Sequence, residues 1–178
     1  MAWVGTLALL LSGFVVTSVP LKAAGNPDSE QVSKLLSEAK TMAFQLKEDA
    51  QTMETFTRSN VSWQSHTAAI SQVKEHANAL ARQVDKLKAV RDTASPWQKT
   101  AIDRIDPYLS EMSGYVEAVI EHLNKHSELL STPEYKDYLE ADSDYASDLA
   151  DMIGNFVDYG KTKDRLQNIT DKLELPKS

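Results

Sequence analysis

No cysteine occurs anywhere in the 178 residues. A disulfide framework, thiol catalysis, covalent haem attachment and lipoprotein acylation are therefore excluded, because each needs a thiol. The same absence says nothing about compartment, since a chain without thiols folds in oxidising or reducing media alike. Glycine and proline number six each, too few for the many tight turns of an all-β design. Aromatic residues are only 7% of the chain, so any core must be mainly aliphatic. Positive charge is also in deficit. Nineteen Lys and Arg stand against 26 Asp and Glu, a net of −7. A field of that sign repels nucleic acid and anionic membrane surfaces unless the bases cluster. No nucleic-acid partner is expected.

Long uncharged runs are missing too, with one exception. Residues 3–19, "WVGTLALLLSGFVVTSV", carry no charge and lead into "PLKAAG". An apolar run ending in small residues reads as a secretory signal, with cleavage near Ala23 to Gly25. No Lys or Arg precedes the run and Lys22 follows it, the reverse of the usual charge arrangement. An uncleaved N-terminal membrane anchor is the alternative. The expectation is a signal peptide over residues 1–25 and one exported domain over residues 26–178, periplasmic or extracellular. No stable membrane insertion is expected after cleavage. Lys22 is the only charge among residues 1–25, so the remaining chain would carry −8.

What the chain has in quantity is helix-starting chemistry and helical spacing. "NPDS" at Asn26, "SPWQ" at Ser95 and "TPEY" at Thr132 each put a capping side chain before a Pro. The cap oxygen takes an orphan backbone N–H, and Pro loses nothing in a first turn. Gln98 adds the partner of a capping box. A fourth start, "SNVSW", offers Ser59, Asn60 or Ser62. The echo between "SWQSHT" (62–67) and "SPWQKT" (95–100) is thus two helix starts, with Trp63 and Trp97 each in a first turn.

Apolar residues then recur at threes and fours. The first seam is Val32, Leu36, Ala39, Ala43, Leu46, Ala50 and Met53. The second is Trp63, His66, Ile70, Val73, Ala77, Leu80, Val84 and Leu87, with Gln83 placed on the solvent side. The third runs Ile105, Leu109, Met112, Val116, Val119, Leu123, His126, Leu130. The fourth is Tyr135, Leu139, Asp142, Tyr145 or Ala146, Leu149, Ile153, Phe156. One wide face of each helix is therefore buried. The spacing predicts an all-α fold with helices of about 30 residues, roughly 27–58, 62–92, 96–131 and 133–159. Gly160 marks the expected end of the last, and residues 161–175 form a separate short amphipathic segment. Short connections make successive helices antiparallel neighbours, in an up-down-up-down four-helix bundle. Pro107 falls inside the third helix and is expected to kink or break it.

No phosphate loop and no hydrolase triad is present, so no enzyme and no cofactor is expected. Two groups of side chains invite a function. His122 and His126 stand at i, i+4 on one helix, and hairpin levels bring His66 beside them. Three imidazoles at one bundle end, with Glu54 and Asp142 level, would suit zinc or copper. The second group is the acidic stretch 134–158, with eight acids, one base and the interleaved Tyr135, Tyr138 and Tyr145. With Asp144 and Asp148 these tyrosines make a docking face for a cationic partner. The leading expectation is an exported, non-enzymatic acidic bundle acting by protein–protein interaction or scaffolding. A periplasmic metal-binding bundle is the first alternative. A lipid-surface-binding, apolipoprotein-like bundle is the second.

Overall fold

The computed structural model describes residues 26–174 and residue 176; the expected signal segment, residues 1–25, and residue 175 lie outside them. Among the described residues the regular structure is entirely helical. Helix α1 spans Glu30–Thr55, α2 Trp63–Ala89, α3 Pro96–Lys125 and α4 Pro133–Lys172. Single 3-10 turns, Phe56–Arg58 and Arg91–Thr93, bend the chain after α1 and α2. Helix α1 packs on α2 and α4, and α3 packs on the same two. The chain neighbours are therefore spatial neighbours, and α4 closes the ring on α1. The up-down-up-down four-helix bundle is present.

The helix starts follow the capping chemistry with one shift. Ser29, not Asn26, caps α1, its Oγ accepting the Val32 N–H at 3.4 Å. Asn26 stays outside the helix and donates its amide to the Asp92 carbonyl at 3.1 Å. Ser62 is the cap of α2. At α3 the Gln98 Oε1 accepts the Ser95 N–H at 3.0 Å. Pro107 lies within α3, which continues past it to Lys125; only the bond to the Asp103 carbonyl is forgone.

The seam residues form the core. All seven of α1, from Val32 to Met53, are buried, as are Ile70 to Leu87 in α2 and Ile105 to Leu123 in α3. Burying a large aliphatic side chain contributes about 1.5–3 kcal/mol, so these rows dominate the stability of the bundle. Four seam positions depart from expectation, among them Leu130, which lies in the turn after α3 and is only half-buried. Trp63 is 48% exposed, because it precedes the first full turn of contact between α2 and its neighbours. His126 is exposed, since α3 ends at Lys125 and His126 leaves the helix with φ −139° and ψ 42°. In α4 it is Val157 that is buried, with Phe156 on the flank. Gln83 is also not a solvent residue. It is buried, and its Nε2 donates to the Leu35 carbonyl at 3.0 Å and to Glu38 at 2.9 Å.

Helix α4 has two unlike sides. Toward α1 stand Asp151 and Asp158, paired with Lys47 and Lys40 at 3.0 Å each, and Gly154 beside Phe44. Toward α3 stand Tyr145, Phe156 and Tyr159, in ring contact with Tyr108 and Tyr115, with Arg104, and with Trp97. The helix does not stop at Gly160. It runs 40 residues without a break, so residues 161–172 extend it as one arm. Gly160 fails as a terminator because its missing side chain is filled by the Trp97 indole, and the buried contact outweighs its poor helix propensity.

Candidate functional site

Tyr135 organises the end of the bundle where α2 and α4 begin. Placed on the core face of α4's first turn, it is fully buried, and its hydroxyl shares a 2.8 Å hydrogen bond with His66 Nδ1. Burial raises the phenol pKa and lowers that of His66, holding both groups neutral. The His122 ring stacks on Tyr135 at 4.7 Å between centroids, and its Nε2–H donates to the Leu129 carbonyl at 3.2 Å. Phe56 closes the cluster, edge-on to His66 at 5.2 Å.

This arrangement brings His66 and His122 to the same residue but not to the same point. One nitrogen of each ring is engaged, by Tyr135 and by the Leu129 carbonyl respectively. His126 meets His122 only edge-on, at 5.6 Å, from an exposed position past the helix end. Glu54 is paired with Arg58 at 2.9 Å. Among the described residues no three His, Asp or Glu side chains are grouped to hold a metal ion. The histidines set the packing of a buried tyrosine. His76, on the same helix as His66, pairs with Asp49 of α1.

Asp142 occupies a core position of α4 and is 2% exposed, with Oδ1 lacking a hydrogen-bond partner. Burial alone pushes its carboxyl up to about 7, as desolvation of an unpaired acid requires. It is a lone buried acid, not a member of the histidine cluster.

The second candidate face is only partly assembled as the sequence implied. Tyr135 is absent from it, being inside the bundle. Tyr138 is half-buried and donates its hydroxyl to Glu134 at 2.8 Å. Tyr145 lies on the α3 side, 5.3 Å from Tyr115 and 6.2 Å from Tyr108, and the Glu111 carboxylate beside it pushes its hydroxyl up to about 12. Asp144 and Asp148 are exposed on the outer ridge of α4. Neither has an ion-pair partner among the described residues, whereas Asp151 and Asp158 are neutralised by α1.

Next to this ridge the aromatic side of α4 and the facing side of α3 leave an open cleft of about 580 Å³. Trp97, Arg104 and Tyr108 line it from α3, and Asp148, the Lys47-paired Asp151, Met152, Phe156 and Tyr159 from α4. The Arg104 guanidinium lies over the Phe156 ring at 5.9 Å, and Trp97 meets Tyr159 edge-on at 5.4 Å. Rings, one cation and one unpaired carboxylate thus share a surface able to hold an amphipathic segment of another molecule.

Composition could not reveal that cleft, but spacing could. Tyr138, Tyr145, Met152 and Tyr159 recur every seven residues on α4, as do Tyr108 and Tyr115 on α3. A seven-residue repeat flanking the apolar seam marks the edge where two antiparallel helices meet. No family model matches the chain, and neither a curated protein nor a solved structure matches it.

Proposed function

We propose that this chain is an exported, non-enzymatic acidic bundle that works by docking a cationic protein along α3 and α4, binding it or holding it in place as a scaffold. One observation carries the reading. The acids of α4 differ in pairing: Asp151 and Asp158 are neutralised by lysines of α1, whereas Asp148, which lines the aromatic cleft beside Asp151, and Asp144 have no ion-pair partner among the described residues. Unpaired carboxylates next to large ring faces suit Lys- or Arg-bearing segments, which gain Coulomb attraction, cation–π contact and apolar burial together. Export rests on the uncharged run 3–19.

The test is a photo-crosslinking residue placed at Asn155, in the cleft, and at Asn78, an exposed position on α2. In cells that make the protein, a discrete adduct is expected from Asn155 and not from Asn78. It should weaken with salt and disappear when Asp144 and Asp148 are both changed to Lys. Equal labelling from both positions, or an adduct indifferent to the charge reversal, would remove this reading.

A further inference from the structure

Beyond Gly160 the outer ridge of α4 changes character. Through the bundle it carries Asp137, Glu140, Asp144 and Asp148, and along the arm it carries Leu166, Ile169 and Leu173. These three are 65%, 43% and 62% exposed, large apolar side chains that no other part of the described chain covers. At about 100° per residue they share one stripe of the arm. Arg165 and Lys172 stand about 80° to one side of the stripe, and Lys163 about 90° to the other. Asp164 and Asp171 lie on the opposite side. Everywhere else the exposed face of α4 is acidic; only here do bases border an apolar line.

The arm also has a defined position. Lys163 pairs with Asp28 at 2.7 Å, just ahead of α1. An apolar stripe edged by Lys and Arg, with acids turned away, is the pattern of a helix that lies in a lipid headgroup layer. Arg165 and Lys172 meet anionic headgroups while Leu166, Ile169 and Leu173 enter the acyl boundary. We infer that the arm of α4, residues 161–173, is a docking element for an anionic lipid surface, on which it lies without crossing. Among the described residues no helix is long and apolar enough to span a membrane. The acids Asp137 to Asp148 share this ridge farther back along the same unbroken helix. The bundle therefore tilts up from the lipid where the arm lies on it, since like charge repels that part. This inference uses a different surface from the cleft and does not rest on the docking proposal.

The absence of cysteine makes the test direct. Single Leu166→Cys, Leu173→Cys, Asp164→Cys and Gln167→Cys variants of the full chain are each labelled with an environment-sensitive fluorophore. Vesicles of phosphatidylcholine with phosphatidylglycerol should blue-shift and brighten the probes at positions 166 and 173, leaving those at 164 and 167 nearly unchanged. Adding Arg165→Glu and Lys172→Glu should abolish the shift. These positions are exposed, so far-UV helicity should be retained in every variant. The inference is overturned by equal responses on both sides of the arm, or by an equal shift on pure phosphatidylcholine. A shift that grows with protein concentration without lipid would overturn it too, by showing a second copy on the stripe.

Discussion

A Cβ on Gly160 would stand 2.8 Å from Cη2 of Trp97, so this glycine is the seat of the indole. The indole Nε1–H in turn donates to Asp28 at 2.8 Å. Although burial works against it, the bonds from Lys163 and Trp97 hold that carboxyl below the usual carboxylate range. On an exposed helix, Gly→Ala would stabilise by about 1 kcal/mol. Here the added methyl must displace a hydrogen-bonded ring. Gly160→Ala should therefore lower the unfolding midpoint in the native background and raise it when Trp97 is already Ala. A double-mutant cycle by urea unfolding reads the sign change directly; the same sign in both backgrounds would show that the indole moves aside freely.

Gln98 ties together the starts of two helices that are not neighbours in the ring. Fully buried, it accepts the N–H groups of Ser95 and Ser29 and donates to the Ser29 carbonyl and Ser33 Oγ, all at 2.9–3.0 Å. Gln98→Ala leaves several of those groups without a partner, each unsatisfied buried group costing about 1–3 kcal/mol. A loss of about 3 kcal/mol in urea unfolding is expected, with amide exchange at Ser29 accelerated first. A loss below about 1 kcal/mol would mean that water takes over the role of the amide.

Two buried groups make the stability of the bundle depend on pH, in opposite directions over overlapping ranges. The Asp142 carboxyl, raised from 3.8 to about 7 by burial, keeps its proton when the unfolded chain has already lost it. Stability therefore falls as pH rises from about 4 to about 7, by at most about 4 kcal/mol at 1.36 kcal/mol per unit. His66, lowered from 6.5 by burial, resists the proton that the unfolded chain accepts. Its contribution is present above pH 6.5 and is lost as pH falls through the range below it. Thermal unfolding from pH 4 to 9 should show Asp142→Asn removing the loss between about pH 4 and 7, with a higher midpoint than the native chain at pH 8. His66→Gln should remove the opposing loss below pH 6.5 instead. A pH 4 to 7 profile unchanged in Asp142→Asn would show that this carboxyl is solvated in the native protein.

The rows of apolar residues were legible because helical spacing and burial are one geometrical fact seen twice. Val32 to Met53 form such a row, and every member is buried. Polar residues broke the reading wherever a partner lay on another helix. Gln83 looks like a surface residue until the Leu35 carbonyl and Glu38 are brought against it. Gly160 reads as a stop by propensity, and only the arrival of Trp97 from α3 shows why a side chain is missing there. The histidines illustrate the same limit from the other direction. Their levels along the bundle were derivable, but Tyr135 took the space toward which they converge. The paired tyrosines of α3 and α4 needed only a seven-residue comparison between helices, which reading each helix alone does not make.

The fastening of α1 to later parts of the chain bears on when the protein can become rigid. Ser29 is held by a side chain 69 positions away, and Asp28 by one 135 positions away. A polypeptide made from its amino end presents α1 first and α4 last, so the ring has an open side through most of synthesis. Its earliest helix has no finished groove to settle into until nearly all the chain exists. Such a molecule stays threadable for as long as it is incomplete, and becomes hard to pull through a narrow channel only after its final helix has docked.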